Sequence, residues 1–295
     1  MAATNNQKWS SPLTFVLAAV GCAVGLGNIW LFPFLAGVNG GGAFVLVYLI
    51  AVPVLALPVL IAELLVGRRG AAGPPKAIAA VAEESGRSRK WGWMGVFLGA
   101  VGATLALSFY CVAGGWALAY TIKMATGQLQ GIDASQATLT FDLLNGSPGS
   151  LLPWFLAFIA MTVLISARGL RGGIEKAVRL MMPALFVMLV VIVIYAAVVG
   201  DFSRAVQFLF APDFSKLDNK TVLAAFGAAF FSISVGITNM VAYGAYIQKE
   251  TKIPRTAGTI VIADTSVALI AGLMIFPLIF QYGLEPTEGP GLVFM

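Results

Sequence analysis

GCAVGLGNIWLFPF, residues 21–34, lies inside the first long apolar stretch of the chain and places Gly21, Gly25, Gly27, Asn28 and Pro33 where a membrane helix should run unbroken. A helix in lipid satisfies its backbone polar groups internally. Broken backbone at membrane depth is tolerated only where protein buries it or where it lines a cavity. Two readings are open at this point. Gly21 and Gly25 form a GxxxG pair, which favours close helix packing; alternatively the unwound backbone is part of a binding site.

The rest of the chain establishes the solvent. Of 295 residues 59% are hydrophobic and only 11% charged, whereas soluble domains carry about 25% charged residues. The fold class is therefore all-α and polytopic. Crossing about 30 Å of hydrocarbon takes roughly 20 apolar residues in helix. Seven stretches meet that test, at about 12–36, 42–67, 92–124, 150–167, 177–199, 221–247 and 258–283, and they make up one transmembrane domain. The intervening 68–91, 125–149, 200–220 and 248–257 read as loops.

Basic residues collect on the cytoplasmic side of membrane proteins. Lys8, the six cations between Arg68 and Lys90, the four between Arg168 and Arg179, and Lys249, Lys252 and Arg255 fall on one side, 14 of the 18 Lys and Arg in all. The expected topology is a multi-pass cell (inner) membrane protein with a cytoplasmic N-terminus. The net charge of +5 comes from those loops and gives no reason to invoke nucleic acid. Membrane lipid is the implied surrounding partner, and nothing bears on oligomeric state. Histidine is absent and the two cysteines both lie in spans, which leaves hydrolytic chemistry and Cys-rich metal sites poorly supplied. The expectation is no enzyme. Residues 284–295 follow the seventh span without another apolar run; an odd span count cannot close an inverted repeat, so the end reads as a truncation.

Of the thirteen acids, only Glu63 and Asp264 are embedded in apolar sequence. An ionisable group at the centre of a span costs at least about 2.5 kcal/mol on insertion scales and usually faces a partner, a cavity or a pathway. Glu63 lies close enough to Arg68 and Arg69 to be an acid near the interface with a basic neighbour, or it is functional. Asp264, deeper in its span, reads as functional. A second break follows in FFSISVGITNMVAYGAY, 230–246, with Ser232, Ser234, Gly236, Thr238 and Asn239 close together. Small polar side chains also serve interhelical hydrogen bonding, but breaks in spans one and six fall at corresponding positions of a five-plus-five inverted repeat, where secondary transporters bind substrate.

GLGNIWLFPF (25–34), NGGGAF (39–44) and IAELLVGR (61–68), in this order and spacing, resemble the neurotransmitter:sodium symporters, the family of the bacterial LeuT-type amino-acid carriers. The resemblance runs from Trp9 to Met295. It implies helices 1 to 7 of a LeuT-like fold, with helices 1 and 6 broken and the C-terminal part of the fold absent. The implied activity is sodium-coupled symport of an amino acid by alternating access; the alternative is a truncated or degenerate member that binds solute or partners without transport.

The implied sodium ligands are the Ala23 carbonyl, Asn28, Ser232 and Asp264 at one site, and the Gly21 and Val24 carbonyls at a second. The ligand types suit a hard cation. An aspartate at 264, where many members carry asparagine and depend on chloride, implies chloride-independent coupling, consistent with Ala228 and Ala268 in place of polar or acidic groups, although Tyr48 is retained. The substrate carboxylate is expected on the N–H groups at Leu26 and Gly27, with the Tyr110 hydroxyl completing the clamp. Gly25, where amine carriers have an aspartate, implies a substrate that brings its own carboxylate. Cys22, Ala106, Ala113, Phe231, Ser234 and Ile237 would form the side-chain pocket, with Ala23 and Ser232 adjoining it, and the small alanines favour a hydrophobic, branched or aromatic amino acid. Lys8 and Trp9 would latch the cytoplasmic gate, and Glu63 would hold N–H groups of the broken sixth span. One position departs from the pattern: Leu31 stands where the family keeps the outer-gate arginine.

Overall fold

Ser11 opens the first helix. Its hydroxyl accepts the Thr14 N–H at 3.1 Å, Pro12 follows at the first helical position, and α1 runs Pro12–Ala23 because proline fits where an N–H would be unpaired anyway. The computed structural model describes residues 8–25 and 27–284. After the break a π-turn, Gly27–Leu31, leads into α2, Phe32–Val38, and the two halves are bent by 50°. Gly40 and Gly41, with φ of +81° and +63°, then turn the chain at a point where a side chain on Gly41 would run into the Phe208 carbonyl.

The second apolar run is α3, Gly42–Ala51, a π-turn over Val52–Ala56, and α4, Leu57–Gly70. Pro53 and Pro58 each remove a backbone donor, which is compatible with the local shift to π spacing. The connector contains α5, Pro74–Glu84, where the sequence reading expected a loop. Its Ala-rich AIAAVAEE stretch is a strong helix former, and hydropathy alone does not register a short helix outside the bilayer. The third run begins with a 3-10 turn at Arg89–Gly92 and α6, Trp93–Val96. A π-segment, Phe97–Gly102, joins it to α7, Ala103–Ala125.

Two further helices also occupy segments expected to be loops. α8, Ala134–Asn145, is started by a capping box between Asp133 and Gln136, a local signal that hydropathy does not detect. α9, Pro148–Ala167, is the fourth span. The fifth starts at a π-turn, Leu170–Ile174, and continues as α10, Glu175–Val199. It begins seven residues before the expected boundary, because the polar first turns still hydrogen-bond as helix. α11, Phe202–Phe210, is capped by Asp201.

The sixth apolar run is α12, Asn219–Ser232, an irregular stretch, and α13, Asn239–Gly244. The seventh is α14, Ile253–Gln281, which at 1.5 Å per residue is about 43 Å long. Among the described residues there is no strand. Among the described residues five helical runs are long and apolar enough to cross a membrane, six with the bent first pair; the broken sixth run falls outside that length test.

Packing at the centre relies on small residues. A side chain on Gly67 would overlap the Val241 carbonyl, and one on Gly244 would meet the Leu64 carbonyl at 2.7 Å, so α4 and α13 are in backbone contact. With no hydrophobic drive between helices in lipid, such close van der Waals contact is what holds them together. Phe32, Phe44 and Tyr48 form a buried aromatic trio, with centroids 4.9 to 6.3 Å apart. This trio fixes α2 and α3 beside the site.

Candidate functional site

Three buried side chains meet where the first, sixth and seventh runs converge. Asn28 Nδ2 donates to Ser232 Oγ at 2.9 Å, to Asp264 Oδ1 at 2.9 Å and to the Asp264 carbonyl at 3.0 Å. Ser232 Oγ donates to Asp264 Oδ2 at 2.6 Å. Tyr48 OH donates to Ser232 Oγ at 3.3 Å from the trio behind it. Asp264 and Asn28 are 0% exposed and Ser232 is 2% exposed. Among the described residues none of the four ion pairs involves Asp264, so this carboxylate is fully buried with hydrogen bonds but no countercharge. The Asn28 amide oxygen accepts the Gly25 N–H at 3.2 Å, closing the break in the first run onto the cluster.

The two broken runs are tied to each other along their length. Ser234 Oγ donates to the Cys22 carbonyl at 3.1 Å, from a residue with φ +55°. Gly236 (φ +90°) and Thr238 (φ +60°) also lie in the left-handed region, so the segment after α12 cannot continue as helix. Glu63 on α4 compensates part of the freed backbone. Its Oε1 accepts the Gly236 N–H at 2.6 Å, and the Met240 and Val241 amides also face it. Of the two readings of Glu63, the basic neighbour is not seen. Arg68 Nη1 instead donates to the Thr251 carbonyl at 2.9 Å, and Arg69 pairs with Glu84 at 2.6 Å.

Both readings of the first break also find a place. A Cβ on Gly21 would come 3.1 Å from Met182 Sδ on α10, which is tight packing, while one on Gly25 would face the Tyr110 hydroxyl at 3.5 Å. Gly25 borders a cavity of about 270 Å³ lined by Gly21, Cys22, Val24, Ala103, Ala106, Leu107, Tyr110, Ser234, Ile237 and Asn239. A second cavity, of about 320 Å³, shares Ala106, Tyr110, Ser234 and Ile237 and continues toward Phe230 and Phe231. Together they are on the scale of a small-ligand site.

Of the residues expected to contact substrate, Cys22, Ala106, Tyr110, Phe231, Ser234 and Ile237 line these cavities. Ala23, Gly27, Ala113 and Ser232 do not. Ala113 is buried one turn beyond Tyr110, where the Phe158 ring of α9 sits against Gly114 too closely to admit a side chain. Gly27 is covered by Phe231, whose ring would meet a Cβ there at 3.0 Å. Leu26 lies outside the described residues. Ala103, Leu107 and Asn239 were missed; the first two are i−7 and i−3 from Tyr110, on the same helix face, so helical periodicity around Tyr110 pointed to them.

At the other end Trp9 is 1% exposed. Its indole N–H donates to the Tyr243 carbonyl at 3.2 Å, its amide to the Tyr246 carbonyl at 3.1 Å, and its ring meets the Tyr243 ring edge-on at 5.5 Å. Gln248 Nε2 donates to the Trp9 carbonyl at 3.0 Å. Lys8 takes part through its carbonyl, which accepts from Arg171 Nε at 3.0 Å; among the described residues its ammonium group forms no ion pair. Leu31 is half-buried at the opposite end of the break.

The profile of the sodium:neurotransmitter symporter family matches residues 6–145 and 145–283. The sodium-dependent transporter YhdH of Bacillus subtilis (strain 168) is 41% identical over 289 residues, 97% of this chain and 62% of its own length. A sodium-dependent transporter of Haemophilus influenzae is 36% identical over 99% of this chain and 65% of its own length. Among solved structures, the crystal structure of MhsT in complex with L-phenylalanine superposes with a TM-score of 0.89 at 40% identity, covering 98% of this chain and 64% of that one. The chain thus spans somewhat under two thirds of the length of these relatives.

Proposed function

Because the chain belongs to the sodium:neurotransmitter symporter family and has the all-helical LeuT-type fold of MhsT, we propose that it works in sodium-coupled uptake of a hydrophobic or aromatic amino acid. The observation that carries this reading is Asp264, wholly buried without a countercharge. Leaving a carboxylate in the membrane interior costs several kcal/mol. A cation among Asp264, Asn28 and Ser232 would offset that cost, and an all-oxygen donor set suits sodium. Nδ2 of Asn28 now faces the acid; turning the amide would present Oδ1 to the ion instead.

The substrate reading rests on the neighbouring cavities. The Tyr110 hydroxyl beside Gly25 makes no hydrogen bond among the described residues and is free to hold a carboxylate. The wall of Ala106, Phe231 and Ile237 offers an apolar seat, and phenylalanine is the ligand bound in the related MhsT structure. The Asp264 charge would also stand in for a chloride ion, so coupling would be chloride-independent. We assign the protein to the cell membrane, N-terminus cytoplasmic, on the distribution of its basic residues.

The test is uptake of labelled phenylalanine and leucine into proteoliposomes under inward sodium or potassium gradients. Uptake with sodium alone is expected, and equal uptake with both cations rejects the coupling. Leu31 favours a second reading, binding without transport, since no salt bridge from this position can close an outer gate. Sodium-dependent binding with no accumulation inside the vesicles would select that reading.

A further inference from the structure

Away from the site, α4, α5 and the 3-10 turn Arg89–Gly92 enclose a cavity of about 250 Å³ at the membrane boundary that carries the basic loops. Its lining divides by chemistry. Val66, Ile78, Val81 and Ala82 make an apolar floor, while Ser85, Arg87 and Trp91 stand at the mouth. Glu83 and Glu84 neutralise Arg89 and Arg69, but Arg87 and Lys90 are exposed and form no ion pair among the described residues. Trp91 and Trp93 are 50% and 60% exposed at the start of the third apolar run, and exposed indoles at the ends of spans favour the headgroup layer.

We propose that this cavity binds an anionic phospholipid of the surrounding leaflet, with its phosphate on Arg87 at the mouth, attracted also by the exposed Lys90 next to Trp91, and the start of an acyl chain against Val66, Ile78 and Val81. The charge pattern selects this occupant. Two uncompensated cations beside the mouth attract phosphate, while the floor of Val66, Ile78, Val81 and Ala82, beginning two residues before Arg68 at the loop end of α4, is apolar and has no polar partner for a soluble anion. A zwitterionic lipid shares the chain but carries its own cation, which Arg87 and Lys90 repel.

The test is native mass spectrometry of the whole chain in detergent, titrated with phosphatidylglycerol, phosphatidylcholine or soluble glycerol phosphate. One phosphatidylglycerol should be retained in clear preference to phosphatidylcholine, and glycerol phosphate should not displace it. Arg87→Gln and Lys90→Gln, both on exposed side chains, should each weaken retention roughly fivefold. Ala82→Leu, which fills the floor and keeps the charges, should abolish the retained lipid. Unchanged retention in the Arg87→Gln, Lys90→Gln double variant overturns the proposal. So does full competition by glycerol phosphate, which marks a soluble-phosphate site, and so does equal retention of the two lipids.

Discussion

At the scale of single residues, a carboxylate and a thiol give separate probes of the proposed ion site and the proposed substrate site. Asp264 accepts from both Asn28 and Ser232, and those bonds orient its oxygens without neutralising its charge. Opposite unit charges about 4 Å apart attract by roughly 4 kcal/mol at an effective dielectric of 20, and 1.4 kcal/mol is tenfold in affinity. Asp264→Asn keeps the shape and removes the charge. It should therefore raise the sodium concentration for half-maximal substrate binding at least about tenfold, measured by scintillation proximity. The unmutated protein should keep its uptake when gluconate replaces chloride, and a collapse there rejects the idea that Asp264 replaces the anion. Cys22 reports on the other half of the site. It lines the cavity beside Tyr110, whereas Cys111 is buried at 0% exposure. A small thiol reagent should modify Cys22 first, and sodium with phenylalanine should slow that reaction while potassium with phenylalanine does not. Mass mapping of the labelled cysteine decides the outcome.

At the scale of elements, the broken sixth run is held from outside by α4, and the two tethers differ in kind. Glu63 supplies an acceptor to the Gly236 N–H, and the Gly67–Gly244 contact brings the two backbones together. Gly236 is exposed, but Met240 and Val241 are buried, and removing the carboxylate that their amides face costs about 1–3 kcal/mol. Glu63→Ala should lower the melting temperature in detergent by several degrees, with Glu63→Gln recovering most of the loss; equal losses in both would show that the charge, not the acceptor, matters. Gly67→Leu, which drives a side chain into the Val241 carbonyl, should cost more than either. Gly236→Ala meets no neighbouring atom, so any loss there measures the φ of +90° alone, about 1 kcal/mol. The two breaks were legible in the sequence because glycine, serine and asparagine cluster at corresponding places in the first and sixth apolar runs, which helix packing alone does not require. The partners of the breaks were legible only through Glu63 and Asp264, the two acids out of place. Trp9 docking under Tyr243 and the packing of Phe158 on Gly114 beside Ala113 were not, because each depends on a contact between segments distant in sequence. The helices α5, α8 and α11 escaped for a different reason: their signals are caps and alanine content, which a hydropathy reading passes over.

At the scale of the molecule, the charge asymmetry that sets the expected topology also distinguishes the two ends of the broken runs. The side bearing Lys8, Arg68, Arg69, Arg171 and Arg179 is where Trp9 packs onto the broken sixth run, through Tyr243, Tyr246 and Gln248, the position in which we propose that it closes the path. Arg171 and Glu175 at the start of the fifth run fasten the same segment: Glu175 is 3% exposed and accepts the Ser10 N–H at 2.9 Å, and Arg171 holds the Lys8 carbonyl. The opposite side has Leu31 and no comparable set of contacts among the described residues. In the proposed transport reading the basic end is closed by packing and hydrogen bonds together with the Arg179–Glu175 pair at 3.9 Å, and the face of the membrane that this end meets would set the side from which substrate leaves. Basic residues flanking spans are retained on the cytoplasmic side, so this seal should face the cytoplasm. Single cysteines at Arg87 and at Asp213, both exposed and on opposite sides of the expected topology, test this in a background where Cys22 and Cys111 are alanine. In intact cells an impermeant maleimide should label the cysteine at 213 and leave the one at 87 unlabelled until the membrane is opened. Weakening the seal with Trp9→Ala should then speed modification, from the cytoplasmic side only, of a cysteine restored at position 22. Labelling of 87 in intact cells inverts the topology, and an unchanged rate at position 22 means that Trp9 does not close the path.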